Sequence, residues 1–324
     1  MLKMQNTIFL VEDEPYCLFD GDLARRNEMF LQGLDAGFFD YNTNAHLTGV
    51  NDKYASTALR IAQHHAIETL FSLAGVYVQA PDCGYAWLAK CQTPQLRSLV
   101  KRICQSDVTL HNKLMLPSIS WRSIAERMFV NAMPESAQRE GLINGFSMLW
   151  EELAGMFLDP ASSDEYNAMK HGFRIANGGF QLSMSVNPTT GESDPFGVPM
   201  EIVGESEYGA TFLKVINVGD MKKTRSLRTV LTTANWSAEQ LIHLNKLLHI
   251  SINNFIAALR LINKWAPDEK CKFLYPEDSE SYSVGWAGKP SIMSMTIDEG
   301  LGDEGALILT KEQILERLKK IGRM

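Results

Sequence analysis

The stretch "YNAMKHGFRIANGG", from Tyr166 to Gly179, gathers Asn167, Lys170, His171 and Arg174 into a short span. Wound as a helix at about 100° per residue, the four fall within roughly a 100° arc, with Met169 and Phe173 beside it and facing the core. Such a stripe suits phosphate or carboxylate: Arg offers a bidentate fork, Lys a point charge and His a titratable donor. Asn167, Lys170, His171 and Arg174 are therefore the ligand-binding candidates. The plainer reading is that cations near a helix C-terminus complement the macrodipole and face water.

A second cluster lies in "RIAQHHAIE". Arg60, His64 and Glu68 stand at i, i+4 and i+8 on one helical face, and His65 reaches Glu68 at i+3. A carboxylate beside an imidazole fixes its tautomer and raises its pKa, which can tune a general base. His65, His171, Arg60 and Glu68 are thus the catalytic candidates. His64, His65 and Glu68 could also ligate a metal. A di-iron carboxylate bundle, however, needs Glu-x-x-His on two helices and a Glu from each of two others, and the chain contains no Glu-x-x-His. A satisfied polar ladder inside the bundle is the commoner outcome, so neither a metal nor a cofactor is expected. Of Glu151 and Glu152, consecutive on a helix, one is expected to face inward and to need a partner such as Arg60, His64 or Lys170.

The elements that must position these residues are mostly helical. Residues 1–50 read as irregular, with a short strand at Thr7–Val11 and a short helix around Leu23–Leu34. From Asp52 a long helix runs until just before Pro81, because apolar residues recur at helical spacing. Shorter helices follow at about 94–106 and 118–131, and another at 134–158 opens on a proline in its first turn. Ser162 with Glu165 has the pattern of a capping box for the helix carrying the basic stretch, which Gly178–Gly179 stops. "FQLSMSV" then alternates strictly and predicts a half-buried strand. "NPTTG" turns the chain, and "YGATFLKVINV" and "SLRTVLTT" read as two more strands. Ser237 with Gln240 opens an apolar helix to about Trp265, with Leu241, Leu244, Leu248, Ile252, Phe255, Ile256 and Leu259 on its stripe. An acidic loop, "DEGLGDEG", precedes an amphipathic helix at 311–321, introduced by Thr310 and Gln313. Its stripe of Ile314, Leu315, Leu318 and Ile321 should dock on its own domain or on a partner subunit.

These elements predict a mainly α fold: a helical bundle with a small inserted antiparallel β-meander and N- and C-terminal arms. Residues 1–50 form the N-terminal arm. Residues 51–265 form the bundle, with the meander inserted at about 180–234, and residues 266–324 form a C-terminal extension with the amphipathic helix. Strands that cluster rather than alternate with helices argue against a sandwich or a doubly wound sheet.

Composition narrows the function classes. The 324 residues are 45% hydrophobic and 21% charged, an ordinary globular balance. Thirty-one basic against 38 acidic residues give a net charge of −7, which disfavours RNA as a general electrostatic partner. Five scattered cysteines without a CxxC pair fit a reducing cytosol, hence a cytoplasmic location. The N-terminus lacks the apolar core of a signal peptide. The longest apolar run, "LFSLAGVYVQA", falls short of the roughly 20 residues that cross a bilayer, so no membrane is expected. The acidic "TIFLVEDEP" is similar to the first strand of a phosphoacceptor receiver domain, but the strand–helix repeat and the Lys-Pro such a domain needs are missing, and "GKP" arrives only at Gly288–Pro290.

"ALRIAQHHAIETLFSLAGVYVQA" resembles the bundle helix of the HEPN superfamily, whose members show alanines and histidines ahead of an apolar run. Many members are RNases and others are non-catalytic binding modules. The family signature is an Arg followed a few residues on by a His, late in the bundle and completed across a dimer. Arg60 and His65 match that spacing on the early helix, whereas Lys170 and His171 precede Arg174 in the reverse order. The resemblance therefore implies a diverged, non-catalytic HEPN-like protein that binds a small anionic ligand, a nucleotide or a protein partner, with a homodimer among the expected partners. Two alternatives stand beside it. One is a metal-independent RNase using His65 or His171 with Arg60, Arg174 or Lys170. The other is a metal-dependent hydrolase or oxidase on His64, His65 and Glu68.

Overall fold

The structure, a computed structural model, describes residues 5–47, 52–130, 136–185, 200–219, 224–276, 281–284, 292–297 and 308–321. It is mainly α and divides into two compact units, Met1–Ser163 with Ala238–Ser291, and Asp164–Ser237 with Ile292–Met324.

The first unit opens with a hairpin of β1 (Gln5–Val11) and β2 (Glu14–Asp20), followed by α1 (Leu23–Gly33) and α2 (Gly37–Ala45). Then come α3 (Lys53–Gln79), α4 (Gly84–Lys90), α5 (Thr93–Cys104), α6 (Trp121–Phe129) and α7 (Ala137–Leu158). The chain leaves through α8 (Pro160–Lys170) and returns in α9 (Ala238–Ile262) and the short α10 (Ser281–Val284). Asp52 caps α3 by accepting from the Tyr54 N–H at 2.6 Å, and the helix ends two residues before Pro81, as its pattern predicts.

α3 and α9 lie side by side in the same direction. Near their starts Asn245 donates to the Leu59 carbonyl at 3.1 Å, and near their ends Asn263 donates to the Pro81 carbonyl at 2.8 Å. The predicted stripe of α9 is buried from Leu241 to Leu259. Aromatic rings fill the space between the long helices: Trp150 lies 5.0 Å from Phe255 and 5.5 Å from Phe146, which stacks on Phe129. Trp150 is fully buried, and its indole N–H donates to Ser251 Oγ at 3.0 Å, which removes the cost of an unmet donor.

Residues 5–47 pack on the bundle rather than standing off as an arm. β1 packs on α3 and α4, and both α1 and α2 pack on α9. Phe9 and Val11 alternate into the core, so the strand expected at Thr7–Val11 is half of a hairpin that completes the bundle. α7 begins at Ala137 under a Ser136 cap, three residues later than its pattern predicts, and Pro134 lies outside the described residues. Glu151 and Glu152 are both exposed; Leu149, Trp150, Leu153 and Ala154 take the inward positions, so neither carboxylate needs an internal partner.

In the second unit, β3 (Ala176–Asn177), β6 (Gly209–Val218), β7 (Ser226–Trp236) and β8 (Ile292–Ile297) form an antiparallel sheet in that order. A separate hairpin pairs β4 (Gln181–Ser185) with β5 (Met200–Glu205). Of the three strands predicted for the meander, β6 and β7 pair in this sheet, which β8 extends, whereas the first, β4, pairs with β5 instead; the C-terminal segment is divided between the two units. Asn235 secures the chain ahead of β4, with Oδ1 accepting from the Phe180 N–H at 2.9 Å and Nδ2 donating to its carbonyl at 2.6 Å. The terminal helix α11 (Lys311–Ile321) starts under the predicted box: Gln313 Oε1 accepts from the Thr310 N–H at 2.9 Å, and Thr310 Oγ1 from the Gln313 N–H at 3.3 Å. The turn at 187–191 and the acidic loop at 298–305 lie outside the described residues.

Candidate functional site

Two groups of candidates exist, one in each unit. In the first, Arg60 and Gln63 are fully buried on α3, and Arg60 Nη1 donates to Gln63 Oε1. His64 is buried beside them, and Asn245 is buried opposite, on α9. Gln63 Nε2 and Asn245 Oδ1 have no hydrogen-bond partner among the described residues. The layer is a polar band inside an apolar bundle; the ladder was expected to be satisfied, and these two atoms are not. Asn245 and Gln63 were legible too: Asn245 interrupts the stripe between Leu241 and Leu248.

His65 stands elsewhere. It is exposed and rests on α2, 5.4 Å from the Phe39 ring and 6.1 Å from the Phe38 ring. Five residues along a helix rotate a side chain by about 140°. Arg60 and His65 therefore match in spacing and diverge in space. Glu68 is half-buried one turn beyond His64. Among the described residues no three His, Cys, Asp or Glu side chains come close enough to hold one metal ion.

The basic stretch belongs to the second unit, and its helix is shorter than its pattern predicts. α8 starts at Pro160 because Asp159 caps it, accepting from the Ala161 and Ser162 N–H groups at 3.2 and 3.1 Å, so Ser162 lies inside the helix rather than capping it. It stops at Lys170, not at Gly178–Gly179. Gly172 and Phe173 adopt φ of +83° and +49°, a left-handed pair that helical geometry cannot continue through. Asn167, Lys170, His171 and Arg174 are all exposed, yet they do not share a helical face. Arg174 folds back, its Nε donating to the His171 carbonyl at 3.0 Å and its Nη2 to the Asn167 carbonyl at 3.4 Å. Lys170 lies 5.2 Å above the Tyr166 ring.

Arg174 repeats a device used twice in the first unit. Arg97 donates to the Phe157 and Leu158 carbonyls at the end of α7. Arg260 donates to the Leu31 and Leu34 carbonyls at the end of α1, at 2.9 and 2.8 Å from Nη2. In each case a guanidinium meets carbonyls at the C-terminal end of a helix, the negative end of its dipole, although the Asn167 carbonyl also accepts from the His171 N–H at 3.1 Å. This makes the helix-end reading of the basic turn the more economical one.

The first unit also holds an open cleft of about 990 Å³ between β1, α1 and the end of α9. Its floor is Asn27, which donates to the Pro81 carbonyl and to Asn263 Oδ1, both at 3.0 Å, and accepts from the Gly84 N–H at 3.2 Å. Its rim mixes Asp22, Glu28 and Asp82 with Arg25 and Lys264. Burial raises the Asp82 carboxyl, but hydrogen bonds from Lys113 and Thr7 outweigh it and hold the group below its ordinary value. The described lining of the cleft is mainly polar and charged.

Among the described residues no helix is long and apolar enough to cross a membrane. Comparison of the chain with known protein families, with characterised proteins and with solved structures finds no match in any of the three.

Proposed function

We propose that the chain is a non-catalytic binding protein, a diverged HEPN-like helical bundle that engages a protein partner in the cytoplasm. The observation that carries this reading is the divergence of Arg60 and His65. A phosphorane-like transition state needs its cation and its proton-transfer group around one phosphate. Here the guanidinium is sealed in the bundle against Gln63 and the imidazole sits outside against two phenylalanines.

A protein partner is favoured over a small anion for two reasons. The guanidinium of the basic turn is occupied by backbone carbonyls, and the second unit presents uncovered apolar side chains on both its sheet and its last helix. The cytoplasmic setting is supported by five free thiols.

A thermal-shift panel of nucleotides and dicarboxylates tests the choice of partner, because a ligand that binds the native state raises Tm with concentration. The expected result is no rise with any of them. A rise that disappears in an Arg174→Ala variant would instead make the basic turn an anion site.

A further inference from the structure

β6 and β7 carry an unusual outward face. Leu213, Val215 and Asn217 on β6 pair with Leu231, Thr229 and Leu227 on β7, and strand alternation puts all six on one side. None is charged. Leu213, Val215 and Leu227 are each half exposed or more, while Phe212 and Val230 on the opposite side are buried. A sheet face of this kind ordinarily packs against a helix.

The same unit carries a helix whose apolar stripe is equally uncovered. Nothing on α11 is buried, and Leu315, Leu318 and Ile321 are about half to two-thirds exposed. The expected docking of this helix on its own domain is not what the structure contains. Leu309 is pinned at the start of β7: its carbonyl accepts from the Arg225 N–H at 2.8 Å and its N–H donates to Ser226 Oγ at 2.7 Å. Thr310, the next residue, already caps α11. No residue intervenes between this anchor beside the start of β7 and the cap of α11. With Leu315, Leu318 and Ile321 all exposed, the stripe of α11 is not packed on the sheet.

We infer that the outward β6–β7 face of one chain is covered by α11 of a second copy, and that the exchange is reciprocal. This rests on the reading of the chain as a binding protein and names the partner. The dimensions agree: Ile314 to Ile321 spans about 10 Å of helix at 1.5 Å per residue, and Leu227 to Leu231 spans about 13 Å of strand at 3.3 Å per residue. A single helix-on-sheet patch is small against the roughly 1,200 Å² of a stable interface. Two patches related by a twofold axis double the area and close the assembly, which prevents open-ended growth.

The test uses the full chain and reads its mass in solution by light scattering behind size exclusion. The wild type is expected at twice the mass of one chain. Leu318→Glu on the helix and Leu213→Glu on the sheet are each expected to shift it to the mass of one chain, with unchanged circular dichroism because both positions are exposed. Mixing the two variants leaves one of the two patches intact, the helix of the sheet variant on the sheet of the helix variant, and is expected to restore a weaker dimer that forms only at higher concentration than the wild type's. A wild type that is monomeric throughout the micromolar range overturns the inference, and so does a dimer that either variant leaves intact. If Leu213→Glu loses its fold, Leu227→Lys serves in its place, and failure of the mixed variants to pair would refute the helix-on-sheet contact. A monomeric result leaves the non-catalytic reading standing, because that reading is tested by RNA cleavage.

Discussion

The side-chain amide of Gln79 grips the backbone of Glu12 at both of its polar atoms. Oε1 accepts from the Glu12 N–H and Nε2 donates to the Glu12 carbonyl, each at 2.9 Å. The residues are 67 apart in sequence, and Gln79 is fully buried at the end of α3. Glu12 holds φ of +57° in the hairpin turn, a conformation uncommon for any residue but glycine, and the amide clasp is what holds it there. Through this pair the N-terminal hairpin becomes part of the bundle.

Gln79→Ala should therefore do more than remove two bonds. Oε1 also accepts from Trp87 Nε1 at 3.2 Å, so the variant strands a buried indole donor as well as the Glu12 N–H. Each stranded group costs about 1–3 kcal/mol, and the expected loss is about 2–4 kcal/mol in urea unfolding. Hydrogen exchange should show the 5–20 hairpin opening first. A loss below about 0.5 kcal/mol, the range of ordinary surface substitutions, would mean that the clasp contributes little.

Gly75→Ala sets two effects against each other. Ala is better than Gly in a helix interior by about 1 kcal/mol. A Cβ at position 75, however, would collide with the Trp87 ring and lie 2.9 Å from Leu99 Cδ2, and the Trp87 ring is fully buried. Overpacking costs about 1–3 kcal/mol, and moving the indole also disturbs its bond to Gln79. Packing should win, with Tm falling in a calorimetric scan. A rise in Tm would show that the ring can shift freely.

Asp107 predicts the acid limb of stability. Hydrogen bonds from the Thr109 hydroxyl and N–H, at 2.7 and 2.8 Å, and from Arg102 Nε at 2.7 Å hold its carboxyl down to about 2. The unfolded value is about 3.9, so the folded state binds the proton less readily. The stabilisation is present in full above the unfolded value and disappears as pH falls from about 4 through about 2. Asp107→Asn should flatten the pH dependence of the urea midpoint in that window. An unchanged slope would assign the acid limb to other carboxylates.

What was legible in the sequence follows the range of the interactions. α3 between the Asp52 cap and Pro81, the buried stripe of α9, and the Thr310–Gln313 box each depend on neighbours within a few residues, and each is present. β2 was not legible because the tight turn that joins it to β1 carries Glu12 and Asp13 rather than glycine or asparagine, and is held by Gln79, 67 residues away. α4 spans only Gly84–Lys90, too short for helical periodicity to register. The end of α8 was misplaced because Gly178–Gly179 is the louder signal, whereas Gly172, Phe173 and the folded-back Arg174 end the helix. At the candidate site, spacing put Arg60 and His65 together on paper; the turn of the helix put one inside and one outside.

The central proposal, that the chain binds without cleaving RNA, is tested most directly by a single-turnover cleavage assay. End-labelled structured RNA is incubated with excess protein in EDTA, which removes any contribution from a divalent ion. The account predicts no cleavage above the background of buffer alone, with wild type, His65→Ala and His171→Ala indistinguishable. Cleavage by the wild type that is lost in either histidine variant would contradict it.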